Sequence, residues 1–136
     1  MLMIQGKSFQ VSRFSSGETI FKEGQSDSVA YSILSGEVEL SVLRGNRHVV
    51  VDTLGQGAYF GELPLLLKTP NSIRATAIQD AELQVISSHR IESLLDNTPP
   101  LMRDLILEHA RQLYQKVSSG EQGRPAFHSL LAAGFA

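Results

Sequence analysis

Short alternating runs of apolar and polar residues, separated by glycine-containing turns, fill residues 10–87. Gln10-Val11-Ser12-Arg13-Phe14 alternates, and Ser15-Ser16-Gly17-Glu18 is a turn. Thr19-Ile20-Phe21-Lys22 is a brief strand closed by Glu23-Gly24-Gln25-Ser26-Asp27. Residues 29–34 meet residues 37–43 as a hairpin across Ser35-Gly36, and Arg44-Gly45-Asn46-Arg47 turns the chain into a strand over 48–54. Val38, Leu40 and Val42 share one face, while Glu37, Glu39 and Ser41 share the other. That is the pattern of an antiparallel sheet with one wet side. Strands over 73–78 and 82–86 follow. Many short strands at this spacing predict an antiparallel sandwich or barrel.

From residue 88 the period changes. Ser88-His89-Arg90-Ile91-Glu92-Ser93-Leu94-Leu95 reads as a short helix with Ser88 as its N-cap. Thr98-Pro99-Pro100 breaks the chain and restarts it, since proline is tolerated in a first helical turn. Over 101–117, Met102, Leu105, Ile106, His109, Leu113 and Val117 recur at three- and four-residue steps, which predicts an amphipathic helix. Ser118-Ser119-Gly120-Glu121-Gln122-Gly123 reads as a linker, and the apolar stretch 125–136 as a short docking helix or a loose end. The predicted division is a domain over 1–117, with its barrel at about 10–87 and its helices at about 88–117, followed by a linker and tail over 118–136.

A length of 136 residues fits one domain with a moderate core. A net charge of −2 gives no general reason to expect nucleic acid or an anionic membrane as partner. With no cysteine, disulfides, thiolate zinc sites and cysteine nucleophiles are excluded, and the cytoplasm is the default compartment. No apolar run approaches the roughly 18 residues of a spanning helix, and the N-terminal residues lack the pattern of a signal peptide.

Catalytic signatures give no support for an enzyme. There is no Gly-x-Ser-x-Gly elbow, P-loop or Asp-rich calcium loop. A metal-dependent enzyme on an all-β fold needs His and Glu clustered on adjacent strands. Of His48, His89, His109 and His128, only His48 falls in the strand region, so no metal or other cofactor is expected.

The richest local pattern is Tyr59-Phe60-Gly61-Glu62-Leu63-Pro64-Leu65-Leu66-Leu67-Lys68-Thr69-Pro70-Asn71-Ser72. It places a Gly-Glu pair at the start of a short helical turn and a Pro-polar-Ser step before a strand. With Gly17-Glu18, Ile20-Phe21-Lys22-Glu23-Gly24, Tyr31-Ser32-Ile33-Leu34-Ser35-Gly36-Glu37-Val38 and Leu54-Gly55-Gln56-Gly57-Ala58-Tyr59-Phe60-Gly61-Glu62-Leu63, it resembles the cyclic-nucleotide-binding domain family over residues 11–114. This is the family of catabolite activator protein and of protein kinase A regulatory subunits.

The resemblance implies an eight-stranded antiparallel jelly-roll β-barrel with short flanking helices and a C-terminal amphipathic helix. It also implies a pocket for cyclic AMP or cyclic GMP between the barrel and a phosphate-binding cassette. Phe60, Gly61, Glu62, Leu63, Pro64, Asn71, Ser72 and Arg74 are the ligand-binding candidates. In the family the cassette glutamate bonds the ribose 2′-hydroxyl, and Glu62 matches it. Backbone N–H groups at the cassette helix start meet the phosphate, at the positions of Gly61, Glu62, Leu63 and Pro64. An arginine neutralises the phosphate, and a following Ser or Thr, here Ser72, adds a hydroxyl.

Two positions depart from that pattern. Asn71 stands where the arginine belongs, and Pro64 has no N–H to offer. Losing a partly buried cation facing phosphate costs on the order of 2–5 kcal/mol, or about 30- to several-thousand-fold in affinity. Arg74 lies three residues after Asn71 and on the side of Ser72 if the strand alternates. Should that side face the pocket, Arg74 replaces the missing cation; the plainer reading is a surface arginine. Lys68 is a second nearby cation, expected on an exposed loop.

Two functions follow. One is a regulatory, non-enzymatic module that binds a cyclic nucleotide or related ligand and signals through its C-terminal helices. The other is a degenerate domain that no longer binds cyclic nucleotide and serves interaction or dimerisation, as a homodimer through residues 101–117 or with a protein partner. DNA binding is not expected, because the roughly twenty residues after Val117 are too few for the two-helix reading unit.

Overall fold

The computed structural model describes residues 2–4, 7–26 and 29–118. The linker and tail expected after Ser118 lie outside the described residues. The strands are β1 (Leu2–Ile4), β2 (Lys7–Phe14), β3 (Thr19–Phe21), β4 (Val29–Ser35), β5 (Val38–Arg44), β6 (Arg47–Leu54), β7 (Tyr59–Phe60), β8 (Arg74–Ala77) and β9 (Ala81–Ser87). Helix α1 (Glu62–Leu67) lies between β7 and β8; α2 (Ser88–Asp96) and α3 (Pro100–Ser118) follow β9. The strands form two antiparallel sheets, ordered β1-β2-β9-β4-β7 and β3-β8-β5-β6. This is the expected jelly roll, drawn as two facing sheets rather than a closed barrel, with the short β1 extending one edge.

Alternation does most of the local work. Val38, Leu40 and Val42 of β5 and Ala75 and Ala77 of β8 are all fully buried, facing Ala30, Ile33 and Leu83 of the other sheet in one core cluster. Between β5 and β6 the alternation slips. Leu40 pairs with Asp52 and Ser41 with Val50, so Val51 is an extra residue on β6, and Ser41 is buried on the predicted wet face.

The hairpin expected across Ser35-Gly36 is absent, because β4 and β5 belong to opposite sheets. Gly36 is instead the corner at which the chain changes sheet. It has φ +91°, and a Cβ built there would lie 2.4 Å from the Asp80 carbonyl oxygen and 2.8 Å from Ala81 Cα. Backbone this close leaves room only for glycine. The next turn is a true hairpin, with Arg44 opposite Arg47 and Gly45 at φ 62° in the two-residue loop.

The helices start and stop where the chain's chemistry allows. The cap of α2 is Ser87 rather than Ser88, its side chain accepting from Arg90 N at 3.1 Å. Pro100 opens α3, as a first-turn proline can. The expected stripe on α3 divides in two. Ile106, Ala110, Leu113 and Val117 are buried, whereas Leu101, Met102 and Leu105 remain 73%, 52% and 48% exposed. No helix among the described residues is long and apolar enough to cross a membrane.

Replacing Gly36 by alanine adds a backbone clash to the positive-φ strain, while Gly17 and Gly45 have open space around the added carbon. Gly36→Ala is expected to cost about 2–4 kcal/mol in urea unfolding, and Gly17→Ala or Gly45→Ala about 1–2 kcal/mol. Equal losses at the three positions would show that the close approach at Gly36 carries no weight.

Candidate functional site

The cassette begins at the end of β7. Phe60 is fully buried and stacks on Tyr31 with ring centroids 5.2 Å apart; the Phe21 ring lies 6.0 Å from it, tilted. Phe60 is therefore part of the core beneath the site. Gly61 follows at φ 82° and turns the chain into α1; a Cβ built there would lie 3.4 Å from the Phe21 ring and 3.6–3.7 Å from the Val29–Ala30 backbone. Glu62 is the first residue of α1 and is 0% exposed. A carboxylate so placed is set among the core, not on the surface where an acidic first-turn residue ordinarily sits.

The helix stops at Lys68, whose φ of 55° is the left-handed conformation that lysine adopts only at a cost. The Lys68 and Thr69 N–H groups both turn back to the Pro64 carbonyl. Lys68 is exposed, as expected, and lines an open groove on the outside of the cassette with Ser26, Thr69, Ser88 and Glu92.

Beyond the cassette, Asn71 is fastened on both sides of its peptide. Its carbonyl accepts from Gly24 N at 2.7 Å, and its N–H donates to the Gln25 carbonyl at 2.9 Å. The Glu23-Gly24-Gln25 turn thereby holds Asn71 inside the fold, where it is 4% exposed.

Between these parts lies a narrow cleft of about 10 Å³, lined by Phe21, Gly61, Leu63, Pro64, Asn71, Ser72, Ile73, Tyr114 and Val117. Five predicted residues thus meet in one place: Gly61, Leu63, Pro64, Asn71 and Ser72. Phe21, Ile73, Tyr114 and Val117 were not among the predicted site residues. Phe21 and Ile73 read in the sequence as ordinary strand apolars, and nothing local said that the end of α3 would return to the cassette. The Tyr114 hydroxyl donates to the Pro70 carbonyl at 3.1 Å, and α3 packs along α1, so the helix lies across the mouth of the cleft.

Arg74 does not join this group. β8 turns Ala75 and Ala77 inward and Arg74 and Thr76 outward, so the guanidinium lies on the outer face of the four-stranded sheet. There it donates to Thr19 Oγ1 at 2.9 Å and contacts His48 Nε2 at 3.2 Å. A guanidinium only donates, so His48 accepts through Nε2 and carries its proton on Nδ1 in this arrangement. Nδ1 lies 3.9 Å from Glu23 Oε1, and Glu23 Oε2 accepts from Leu43 N. The same turn that pins Asn71 is thus tied to the outer network. No Lys, Arg or His is among the described residues that line the cleft.

Residues 11–98 match the family model described as cyclic nucleotide-binding domain. The chain is 33% identical over 103 residues to a cGMP-dependent protein kinase of Toxoplasma gondii, covering 75% of this chain and 10% of the kinase. It is 30% identical over 106 residues to the cyclic AMP receptor protein of Thermus thermophilus, covering 77% of this chain and 49% of that protein. The chain therefore spans between about a tenth and about half of these relatives' lengths. In structure it superposes on the cAMP-bound form of the EAL enzyme Bd1971 with a TM-score of 0.77 over 81% of this chain and 29% of that one. At 22% identity, that likeness speaks for the fold alone.

Two substitutions separate the roles of these groups. Arg74→Ala is expected to lower stability by about 1–2 kcal/mol, through its bonds to Thr19 and His48. It should change the affinity for any cleft ligand by less than about twofold, since a change of 1.4 kcal/mol would be tenfold. A tenfold loss of affinity would put the guanidinium in the cleft. Tyr114→Phe removes one hydrogen bond, worth about 0.5–1.5 kcal/mol. It should speed hydrogen exchange at residues 110–118 while leaving the sheets unchanged; uniform exchange throughout would mean that the Pro70 contact does not hold α3.

Proposed function

This chain belongs to the cyclic nucleotide-binding domain family, and we propose that it works as a non-enzymatic regulatory module. It takes a cyclic nucleotide or a related ribose-bearing ligand into the cassette cleft and signals by moving its C-terminal helices. The observation that carries this reading is the position of α3, whose Tyr114 and Val117 form one wall of the cleft. In the closed form the cleft has room for about one water molecule. A ligand can enter only if α3 swings away, breaking the Tyr114–Pro70 bond. Binding and helix movement are then one equilibrium, and a ligand shifts it by its preference for the open form. Relatives described as a cyclic AMP receptor protein and a cGMP-dependent protein kinase support a ligand of this class.

The second reading is a domain that keeps the fold for interaction or dimerisation. Asn71 and Pro64 favour it, and so do the exposed Leu101, Met102 and Leu105 on the first turns of α3. Those three would be buried between two copies of α3 or against a protein partner.

Isothermal titration with ribose-bearing ligands, read together with hydrogen exchange on α3, tests the module. Binding in the micromolar range, lost in Glu62→Ala and accompanied by faster exchange at residues 110–118, is the expected outcome. Absence of heat and of any thermal shift with cyclic nucleotides and nucleosides alike at millimolar concentration would leave the interaction domain standing. In that case sedimentation should show a dimer that Leu105→Glu dissociates.

A further inference from the structure

On the outer face of the four-stranded sheet, a chain of polar contacts runs from Arg74 through His48 to Glu23. Its far end is the turn that fixes the cassette strand. We propose that His48 is a proton-operated link to that turn: neutral, it holds Arg74; protonated, it releases Arg74 and takes the Glu23 carboxylate, drawing on the turn that anchors Asn71. Histidine changes charge between about pH 5 and 8, and the His48 side chain is 43% exposed, open to protons from solvent. Neutral His48 accepts from Arg74 Nη1 at 3.2 Å through Nε2. Once protonated, both ring nitrogens donate, and two cations face each other across that contact. The favourable neighbour is then Glu23, whose Oε1 lies 3.9 Å from Nδ1. A charge-assisted bond is about 2.8 Å long, so ring or carboxylate moves by roughly 1 Å to make it.

Glu23 is placed to pass that movement on. Its Oε2 accepts from Leu43 N at 3.1 Å, and Leu43 stands opposite His48 in the ladder. One residue along, Gly24 N donates to the Asn71 carbonyl at 2.7 Å, and the Gln25 carbonyl accepts from Asn71 N at 2.9 Å. Lys22 N donates to Gln25 Oε1 and closes the turn on itself, so Glu23 and its neighbours shift together. The other charged groups nearby are engaged or set apart. Arg44 bonds the Leu43 and Ser118 carbonyls, and Arg47 alternates to the side of β6 away from His48. Lys22 is exposed. Glu39 lies further along β5, opposite Thr53 and Thr76, and Asp52 accepts from Thr53 N. The link operates in the protein without ligand, so it goes beyond the module reading and does not rest on it.

The test follows the ligand-free, ¹⁵N-labelled chain by NMR from pH 8 to pH 5. At pH 8 the His48 ring should carry its proton on Nδ1. The amide signals of Gly24 and Asn71 should then shift with the same midpoint as the His48 ring. Protection of the Asn71 N–H from exchange, corrected for the intrinsic rate, should fall at least about threefold on protonation. The Gly17 amide, bonded to the Ala77 carbonyl in a turn outside this network, should not follow. His48→Gln keeps an acceptor for Arg74 but takes no charge, and should flatten the response; Glu23→Gln should weaken it while His48 still titrates. Gly24 and Asn71 amides that stay silent while His48 titrates overturn the inference, as does a response that persists in His48→Gln or an Nε2 proton at pH 8. The wild-type titration decides even if a variant does not fold.

Discussion

Two hydrogen bonds between the Asn71 peptide and the Gly24-Gln25 turn govern how this site is built. They close the cassette onto the strand hairpins across more than forty residues of chain. Because both the N–H and the carbonyl are used, the peptide groups on either side of the Asn71 Cα are fixed, and the residue is held inside the fold. The register of β8 follows from that anchor. With Asn71 and Ile73 inside, Ala75 and Ala77 go inside as well, and Arg74 must go out. The cation that would have compensated for Asn71 is excluded by the same geometry that buries Asn71.

The helical end of the molecule adds a second constraint. Ile106, Ala110, Leu113 and Val117 are the buried stripe of α3, which packs along α1. The contact is modest compared with the sheet core, since it rests on a few apolar side chains at about 1.5–3 kcal/mol for each one fully buried and on one hydroxyl bond. A contact of that size can be exchanged for contacts with a ligand, whereas the interlocked sheets cannot. The fold therefore separates a rigid part from a part that a binding event is able to move.

The glutamate and the asparagine make sense together only when both are seen to be inside. On the surface, either would be an ordinary polar residue of a helix start or a turn. Buried, each is a polar group whose solvation has been given up, and the two lie on the two chain segments that bound one cleft. The cleft is lined by apolar and neutral polar residues, with no Lys, Arg, His, Asp or Glu among its described lining.

Much of the molecule was legible from residue order alone. Alternation placed the strands, the change of period at residue 88 placed the helices, and glycine spacing marked the turns, because these depend on neighbours within a few positions. The resemblance to the cyclic-nucleotide-binding family grouped Gly61, Glu62, Leu63, Pro64, Asn71 and Ser72 as one motif. It failed where a residue's surroundings come from distant chain. Ser35-Gly36 looked like a hairpin and is a sheet corner, since only the Asp80–Ala81 backbone reveals the difference. Phe60 looked like a cleft residue and lies in the core. Arg74 had two open sides until the pairing of β8 with β3 and β5 chose one. Tyr114 and Val117, forty or more residues beyond the cassette, gave no local sign of meeting it. The sequence by itself determined the fold, the place of the cassette and the loss of its arginine. Only the tertiary structure decided that no Lys, Arg or His among the described residues lines the cleft and that α3 covers it, because charge balance and closure are sums over side chains brought together by folding.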